Sequence, residues 1–181
     1  DYFNQLGLLD PSYNGESLSE PITYKEGTSK IGDVQGMKTY TKGDSVGFQN
    51  ITNGASFTVS NVSRTASGEV VNMKITVVDR GRPRHSNVNG NYRAELISSD
   101  GAFGWYITDG DRLALRYELY TASGKHLSVP TFNIISDIDY RQGAQFEFSG
   151  KKIITTTPPG SGVKDIGGGV FGDVEGMELS D

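Results

Sequence analysis

The chain contains no cysteine. This absence excludes disulfide bonds, thiolate metal sites, catalytic thiols and thioester crosslinks together. It fits a cytosolic protein, and it fits equally well the surface proteins of Gram-positive bacteria, which usually avoid cysteine. Composition alone does not separate these two origins.

Histidine, positive charge and long apolar runs are also scarce. Two histidines, His85 and His126, are too few for most hydrolytic zinc sites, and neither lies in an H-E-x-x-H frame. A net charge of −5 and an isoelectric point near 5.1 argue against nucleic acid and anionic membrane surfaces as partners. No apolar run approaches the roughly 20 residues of a membrane helix. We therefore expect no metal, no other cofactor, no nucleic-acid partner and no membrane insertion.

Glycine is abundant, with 24 residues among 181, about twice its average usage, and this favours tight turns over helices. The length suits one domain that buries a stable core without covalent crosslinks. We expect a single ligand-binding domain over residues 1–181. Its predicted parts are an irregular N-terminal segment at 1–44, a β-sandwich core at 45–157, a Gly/Pro loop at 158–169 and a closing strand at 170–181.

Alternation of apolar and polar residues predicts the strands. Within residues 69–78 every second side chain is apolar, and residues 112–120 repeat the pattern. Turn signals such as Asn53-Gly54 and Ser67-Gly68 separate further candidate strands, which lie at 46–52, 56–61, 92–98, 102–108, 128–137, 144–149 and 151–157. Short alternating strands at this spacing indicate an all-β fold, an antiparallel sandwich of the jelly-roll type with few or no helices.

The segment from Asp100 to Asp111 places the only tryptophan beside three carboxylates. Asp-Gly pairs at both ends supply positive-φ turn positions, so the segment predicts strand, tight turn, strand. Aromatic faces with fixed carboxylates suit a sugar or a basic protein surface, and the predicted ligand-binding residues here are Trp105, Tyr106, Asp100, Asp109 and Asp111. The alternatives, which are the more common arrangements, are a core position for Trp105 and solvated turns for the aspartates.

Two smaller clusters also have candidate roles. Arg82 and Arg84 lie in a compact basic loop and suit bidentate contacts with a partner's carboxylates, although a solvated loop is an equal alternative. Asp137 and Asp139 fall on one side of a predicted strand, about 6.6 Å apart by strand rise. Holding turn amides or an arginine is the more common role for such residues than binding calcium.

No catalytic residue is assigned. Gly43-Asp44-Ser45-Val46-Gly47 matches the G-x-S-x-G nucleophile elbow, but a β-prone segment follows it where that motif requires a helix. A chance match is the better interpretation.

Two stretches resemble a known family. Residues 120–125 have the form Y-x-x-x-G-K and residues 136–142 the form S-D-I-D-Y-x-Q, and together they resemble the second non-repetitive domain of streptococcal fibrillar surface adhesins. The glucan-binding and antigen I/II variable domains are more distant. The likeness is clearest over 111–150. It implies a lectin-like β sandwich on a wall-anchored fibril that binds host fibronectin or a glycan, with Asp137 and Asp139 maintaining the fold.

We therefore expect a non-catalytic adhesin domain on the cell wall of a Gram-positive bacterium, a monomeric module of a larger chain that binds a host glycoprotein such as fibronectin. The first alternative is a carbohydrate-binding module or a glycan-active secreted domain. A glycosidase needs two carboxylates about 5–9.5 Å apart, which Asp137 with Asp139, or Glu118 with Glu147, could supply. The second alternative is a structural spacer in a surface fibril.

Overall fold

The computed structural model describes residues 17–83, 91–97, 101, 103–128, 143–145, 163–167 and 170–173. The chain divides into two compact units, residues 14–129 and residues 1–13 with 130–181. The elements with defined bounds in the described part of the chain are all β-strands, and every strand pairing is antiparallel. The predicted all-β antiparallel fold is confirmed. Among the described residues, no helix has the length and apolar character needed to cross a membrane.

The unit formed by residues 14–129 contains two sheets. Its strands are β1 (Ile31–Gln35), β2 (Lys38–Lys42), β3 (Ser45–Gln49), β4 (Ser56–Arg64), β5 (Val70–Asp79), β6 (Ala94–Ile97), β7 (Gly104–Ile107), β8 (Ala114–Thr121) and β9 (His126–Leu127). The five-stranded sheet has the order β1-β4-β5-β8-β9, and the four-stranded sheet has the order β2-β3-β6-β7. In the other unit, β10 (Gly143–Gln145), β11 (Val163–Gly167) and β12 (Val170–Asp173) form a third sheet in the order β10-β12-β11.

The core of the first unit lies between its two sheets. The apolar face predicted for residues 69–78 is buried on β5, and consists of Val71, Met73, Ile75 and Val77. Phe57 of β4 stacks on Phe48 of β3, with ring centroids 4.5 Å apart, and Trp105 of β7 packs against both rings at 5.9 and 6.0 Å. Side chains from both sheets thus share one core, which makes the unit a β sandwich.

Two predicted irregular regions contain strands. The segment 1–44 was expected to lack regular structure, but β1 and β2 lie within it. Strand β2 has the sequence Lys-Thr-Tyr-Thr-Lys, so it has no apolar face from which a strand could be predicted. The predicted Gly/Pro loop at 158–169 likewise contains β11, while the predicted closing strand at 170–181 includes β12. Strand β2, in the first of these regions, contributes to the candidate site described below.

The same four residues, Thr-Ala-Ser-Gly, form two neighbouring turns at 65–68 and 121–124. In both turns the glycine N–H donates to the threonine carbonyl, at 2.9 and 2.8 Å, and the glycine has a positive φ of 90° or 94°. The threonine hydroxyl accepts the N–H of the residue after the glycine, at 3.0 and 3.1 Å. The Ser123 hydroxyl donates to Glu69 Oε1 at 2.6 Å. This bond links the two turns at one end of the five-stranded sheet.

Replacing Phe57 with alanine tests whether the two sheets share this aromatic core. Phe57 is 1% exposed, so Phe57→Ala should lower the free energy of unfolding by about 3–5 kcal/mol. Denaturant unfolding followed by the fluorescence of Trp105, the only tryptophan, measures the loss. Val78→Ala on the solvent side of β5 is the control and should change stability by less than about 0.5 kcal/mol. A loss below about 1 kcal/mol for Phe57→Ala would contradict the shared core.

Candidate functional site

On the outer side of the four-stranded sheet, four residues lie directly opposite one another in a row. The register pairs Tyr40 of β2 with Gly47 of β3, Gly47 with Glu95 of β6, and Glu95 with Tyr106 of β7. Their neighbours along the strands, such as Phe48 and Leu96, are buried in the core. Because side chains alternate along a strand, the row points away from the core. We call Tyr40, Gly47, Glu95 and Tyr106 the tyrosine face.

The Tyr40 ring lies over Gly47. A Cβ atom at position 47 would overlap three ring carbons of Tyr40, so glycine is what allows the ring to rest on the backbone of β3. The Tyr40 hydroxyl reaches across that strand and donates to Glu95 Oε1 at 3.4 Å. Burial, followed by the negative charge of Glu95, raises the pKa of Tyr40 above its usual value. The ring is therefore held flat against the sheet, with its other side turned outward.

Glu95 is a buried carboxylate at the centre of the row. The residue is only 8% exposed, and Lys42 Nζ donates to its Oε1 at 2.9 Å. This hydrogen bond raises the pKa of Lys42, whose side chain remains 65% exposed. Tyr40 and Lys42 both bind Oε1, and no described residue binds Oε2. Every fully buried polar side-chain atom in the described residues has a partner, so Oε2 keeps some contact with solvent although Glu95 as a whole is 8% exposed.

Tyr106 is the most exposed of the large hydrophobic side chains in the described part of the chain, at 56%. It lies beside Glu95 on the edge strand β7. An exposed aromatic ring on a rigid sheet, next to a fixed carboxylate, provides flat apolar area together with a hydrogen-bond acceptor. The ligand-binding role predicted for Tyr106 fits this position.

An ion pair flanks the row. Arg93 Nε donates to Asp109 Oδ2 and its Nη2 donates to Oδ1 at 3.3 Å, so the pair is bidentate. The hydrogen bond to Asp109 raises the pKa of Arg93. The Thr108 hydroxyl lies 3.1 Å from the same carboxylate. Asp109, a predicted ligand-binding residue, is thus engaged within the protein and presents no uncompensated charge.

The other predicted site residues lie elsewhere. Trp105 is on the core side of β7, where its Nε1 donates to the Tyr117 hydroxyl at 3.0 Å, so it takes the core position named as the alternative. Asp111 Oδ1 accepts the backbone N–H of Arg82 at 2.7 Å, and the contact holds that loop. The four remaining residues lie outside the described part of the chain: Asp100, Arg84, Asp137 and Asp139. The G-x-S-x-G match forms the β2–β3 hairpin with no helix after it, which confirms the chance match.

The sequence interpretation missed Tyr40, Lys42, Gly47 and Glu95. A signal for the first three was present in the hairpin itself, because residues 38–42 and 45–49 flank the two-residue turn Gly43-Asp44. A glycine at the first central position, here with a φ of 58°, suits such a turn. Glu95 is the charged residue between the apolar positions Ala94 and Leu96, a pattern that places it on the outer side.

Comparisons with protein-family models, curated proteins and solved structures return no match for this chain. Functional inference therefore depends on the geometry of the tyrosine face. Within the described residues, no three side chains of histidine, aspartate or glutamate are grouped closely enough to hold a metal ion.

Substituting Gly47 tests the seating of the Tyr40 ring. Gly47→Ala should displace the ring, lower the free energy of unfolding by about 1–3 kcal/mol and return the pKa of Tyr40 toward 10.0. Unfolding experiments and a tyrosine titration followed by NMR measure both effects. Gly32→Ala is the matched control, since its Cβ would meet only Thr58 Oγ1 at 3.9 Å. Equal behaviour of the two variants would show that the ring does not rest on Gly47.

Proposed function

We propose that the chain is a non-catalytic ligand-binding domain of a Gram-positive surface adhesin, which binds host fibronectin or a related glycoprotein and so promotes adhesion. The observation that supports this most directly is the exposed Tyr106 beside the fixed carboxylate of Glu95. Tyrosine combines a large apolar ring with a polar hydroxyl, and it is enriched where proteins bind one another.

A sheet face is a suitable scaffold for such a site. The four strands hold the row in register through backbone hydrogen bonds, so Tyr40 and Glu95 are positioned before a ligand arrives. Preorganisation lowers the conformational entropy that binding would otherwise cost. Lys42 and Tyr40 fix one oxygen of Glu95, which further limits its motion.

Binding without catalysis agrees with the state of the carboxylates near the face. Glu95 forms an ion pair with Lys42, and Asp109 forms one with Arg93. Both carboxylates are therefore held by partners within the protein, which suits a fixed binding surface. We further propose, from the absence of cysteine, the acidic charge and the sequence resemblance, that the domain is extracellular and works as a monomeric module of a wall-anchored chain.

The alternative is a carbohydrate-binding module or a glycan-active secreted domain. The observation that favours it is the Tyr40 ring, which covers Gly47 and whose hydroxyl binds the Glu95 carboxylate, because flat rings and carboxylates are typical of sugar sites. Turnover of a polysaccharide that is lost in Glu95→Gln would identify a glycan-active enzyme. Binding of a polysaccharide without turnover would instead agree with a carbohydrate-binding module or with the adhesin domain.

The proposed role predicts that Tyr106→Ala weakens binding to immobilised fibronectin by about tenfold or more, since exposed aromatic anchors supply much of the binding free energy. Surface plasmon resonance of the purified chain at micromolar concentrations measures the change. Tyr120→Ala is the matched control, because Tyr120 lies opposite Asn72 on the outer side of the other sheet. The Tyr120→Ala variant should bind fibronectin with the affinity of the wild type. Failure of the wild-type chain to bind, or equal binding by Tyr106→Ala, would contradict the proposal.

A further inference from the structure

We infer that the tyrosine face binds an uncharged pyranose, which stacks on the outward side of the Tyr40 ring and donates hydroxyl hydrogen bonds to Glu95 Oε2. This inference depends on the proposed function of the face as a ligand site, and it names the class of ligand. Three features select that class: the Tyr40 ring as a flat platform, Glu95 Oε2 as a hydrogen-bond acceptor, and the pairing of the nearby charges.

The platform is the ring of Tyr40. Because one side of the ring covers Gly47, the opposite side is parallel to the sheet and faces outward. A pyranose has an apolar face of C–H groups, whose burial against an apolar ring is favourable in water. A peptide side chain would gain more from a pocket than from a flat surface, whereas the flat C–H face of a sugar matches a flat ring.

The acceptor is the second oxygen of Glu95. Tyr40 and Lys42 hold Oε1 at 3.4 and 2.9 Å, which orients the carboxylate and leaves Oε2 in contact with solvent. A carboxylate in its charged form only accepts hydrogen bonds. The ligand must therefore present O–H or N–H donors next to its apolar face, and adjacent ring hydroxyls of a sugar do so.

The charge around the platform argues against an acidic sugar. Lys42 is paired with Glu95, and Arg93 is paired with Asp109, so neither cation is available to a ligand carboxylate without breaking an ion pair. The exposed oxygen Oε2 would also repel such a group. Lys38 lies on the same side of β2, two residues before Tyr40 and four before Lys42, and its partner on β3 is Gln49. The paired cations and the carboxylate oxygen thus favour an uncharged sugar on the Tyr40 ring.

The other sheet provides a matched control for this arrangement. On the outer side of β8, the Tyr120 hydroxyl donates to Glu118 Oε2 at 3.1 Å, so a tyrosine–glutamate pair is present there too. Tyr120 instead meets His126 edge to face, with ring centroids 5.1 Å apart. Tyr120 and Glu118 therefore form the same kind of hydrogen-bonded pair as Tyr40 and Glu95, but without a ring that rests on a glycine.

Ligand-observed NMR with the wild-type chain tests the inference, with lactose, cellobiose and 3′-sialyllactose as probes. Lactose or cellobiose should bind in the millimolar range, and 3′-sialyllactose should bind no better than lactose. Tyr40→Ala should abolish the signal, and Glu95→Gln should weaken affinity by about tenfold, because a charge-assisted hydrogen bond becomes a neutral one. Tyr120→Ala and Glu118→Gln should bind as the wild type does.

A conservative variant guards against loss of folding. Tyr40→Phe keeps the ring on Gly47, and it should retain binding within about threefold, while losing the hydrogen bond to Glu95. Absence of binding to every neutral sugar would overturn the inference. So would tighter binding of 3′-sialyllactose, or unchanged affinity in Glu95→Gln.

Fibronectin before and after enzymatic removal of its glycans separates this inference from the proposed function. Equal binding to both forms, with no binding to free sugars, would overturn the sugar ligand and leave the adhesin role standing. Sugar binding that depends on Tyr40 and Glu95, without binding to fibronectin, would support the inference and remove fibronectin as the partner. Loss of fibronectin binding on deglycosylation would support both.

Discussion

The stacking of Phe48 on Phe57 connects the two sheets, and the direction of every outward side chain in the four-stranded sheet depends on it. Phe48 faces inward on β3, so its neighbour Gly47 must face outward, and the register of β2, β6 and β7 then places Tyr40, Glu95 and Tyr106 in the same row. A slip of one residue in any of these strands would exchange inner and outer side chains. The candidate site therefore depends on the same burial that makes the sandwich stable.

Gly47 connects the fold to the site in a second way. A side chain at this position would occupy the space of the Tyr40 ring, so glycine allows the ring to lie across the strand. Seating the ring there brings its hydroxyl to Glu95, and Lys42 completes the arrangement from the same strand as Tyr40. Ring, carboxylate and ammonium group thus constrain each other on the outer face, which is not part of the core.

The fold was largely predictable from the sequence, and the site was predictable only in part. Alternation identified β5 because its buried residues are strongly apolar and its outer residues are polar. Alternation failed for β2 because an edge strand buries little on its inner side, where Thr39 and Thr41 lie. Tyr106 was identified as an exposed aromatic residue. Its association with Tyr40 and Glu95 depends on pairings between β3 and β6 that are distant in sequence, which composition and spacing do not encode.

The paired Thr-Ala-Ser-Gly turns limit what the sequence resemblance can imply. The Y-x-x-x-G-K stretch at residues 120–125 contains the second of these turns, and the first copy, at residues 65–68, has the same hydrogen bonds. Thr65 and Thr121 are both buried, at 1% and 3% exposure, and their hydroxyls satisfy the turn backbone. Local turn chemistry is thus sufficient to explain the Thr-Ala-Ser-Gly part of this stretch, whereas its flanking residues Tyr120 and Lys125 correspond to Arg64 and Glu69 in the first copy. A shared ligand is not needed to account for that turn, so the placement of the binding site depends on the tyrosine face of the other sheet.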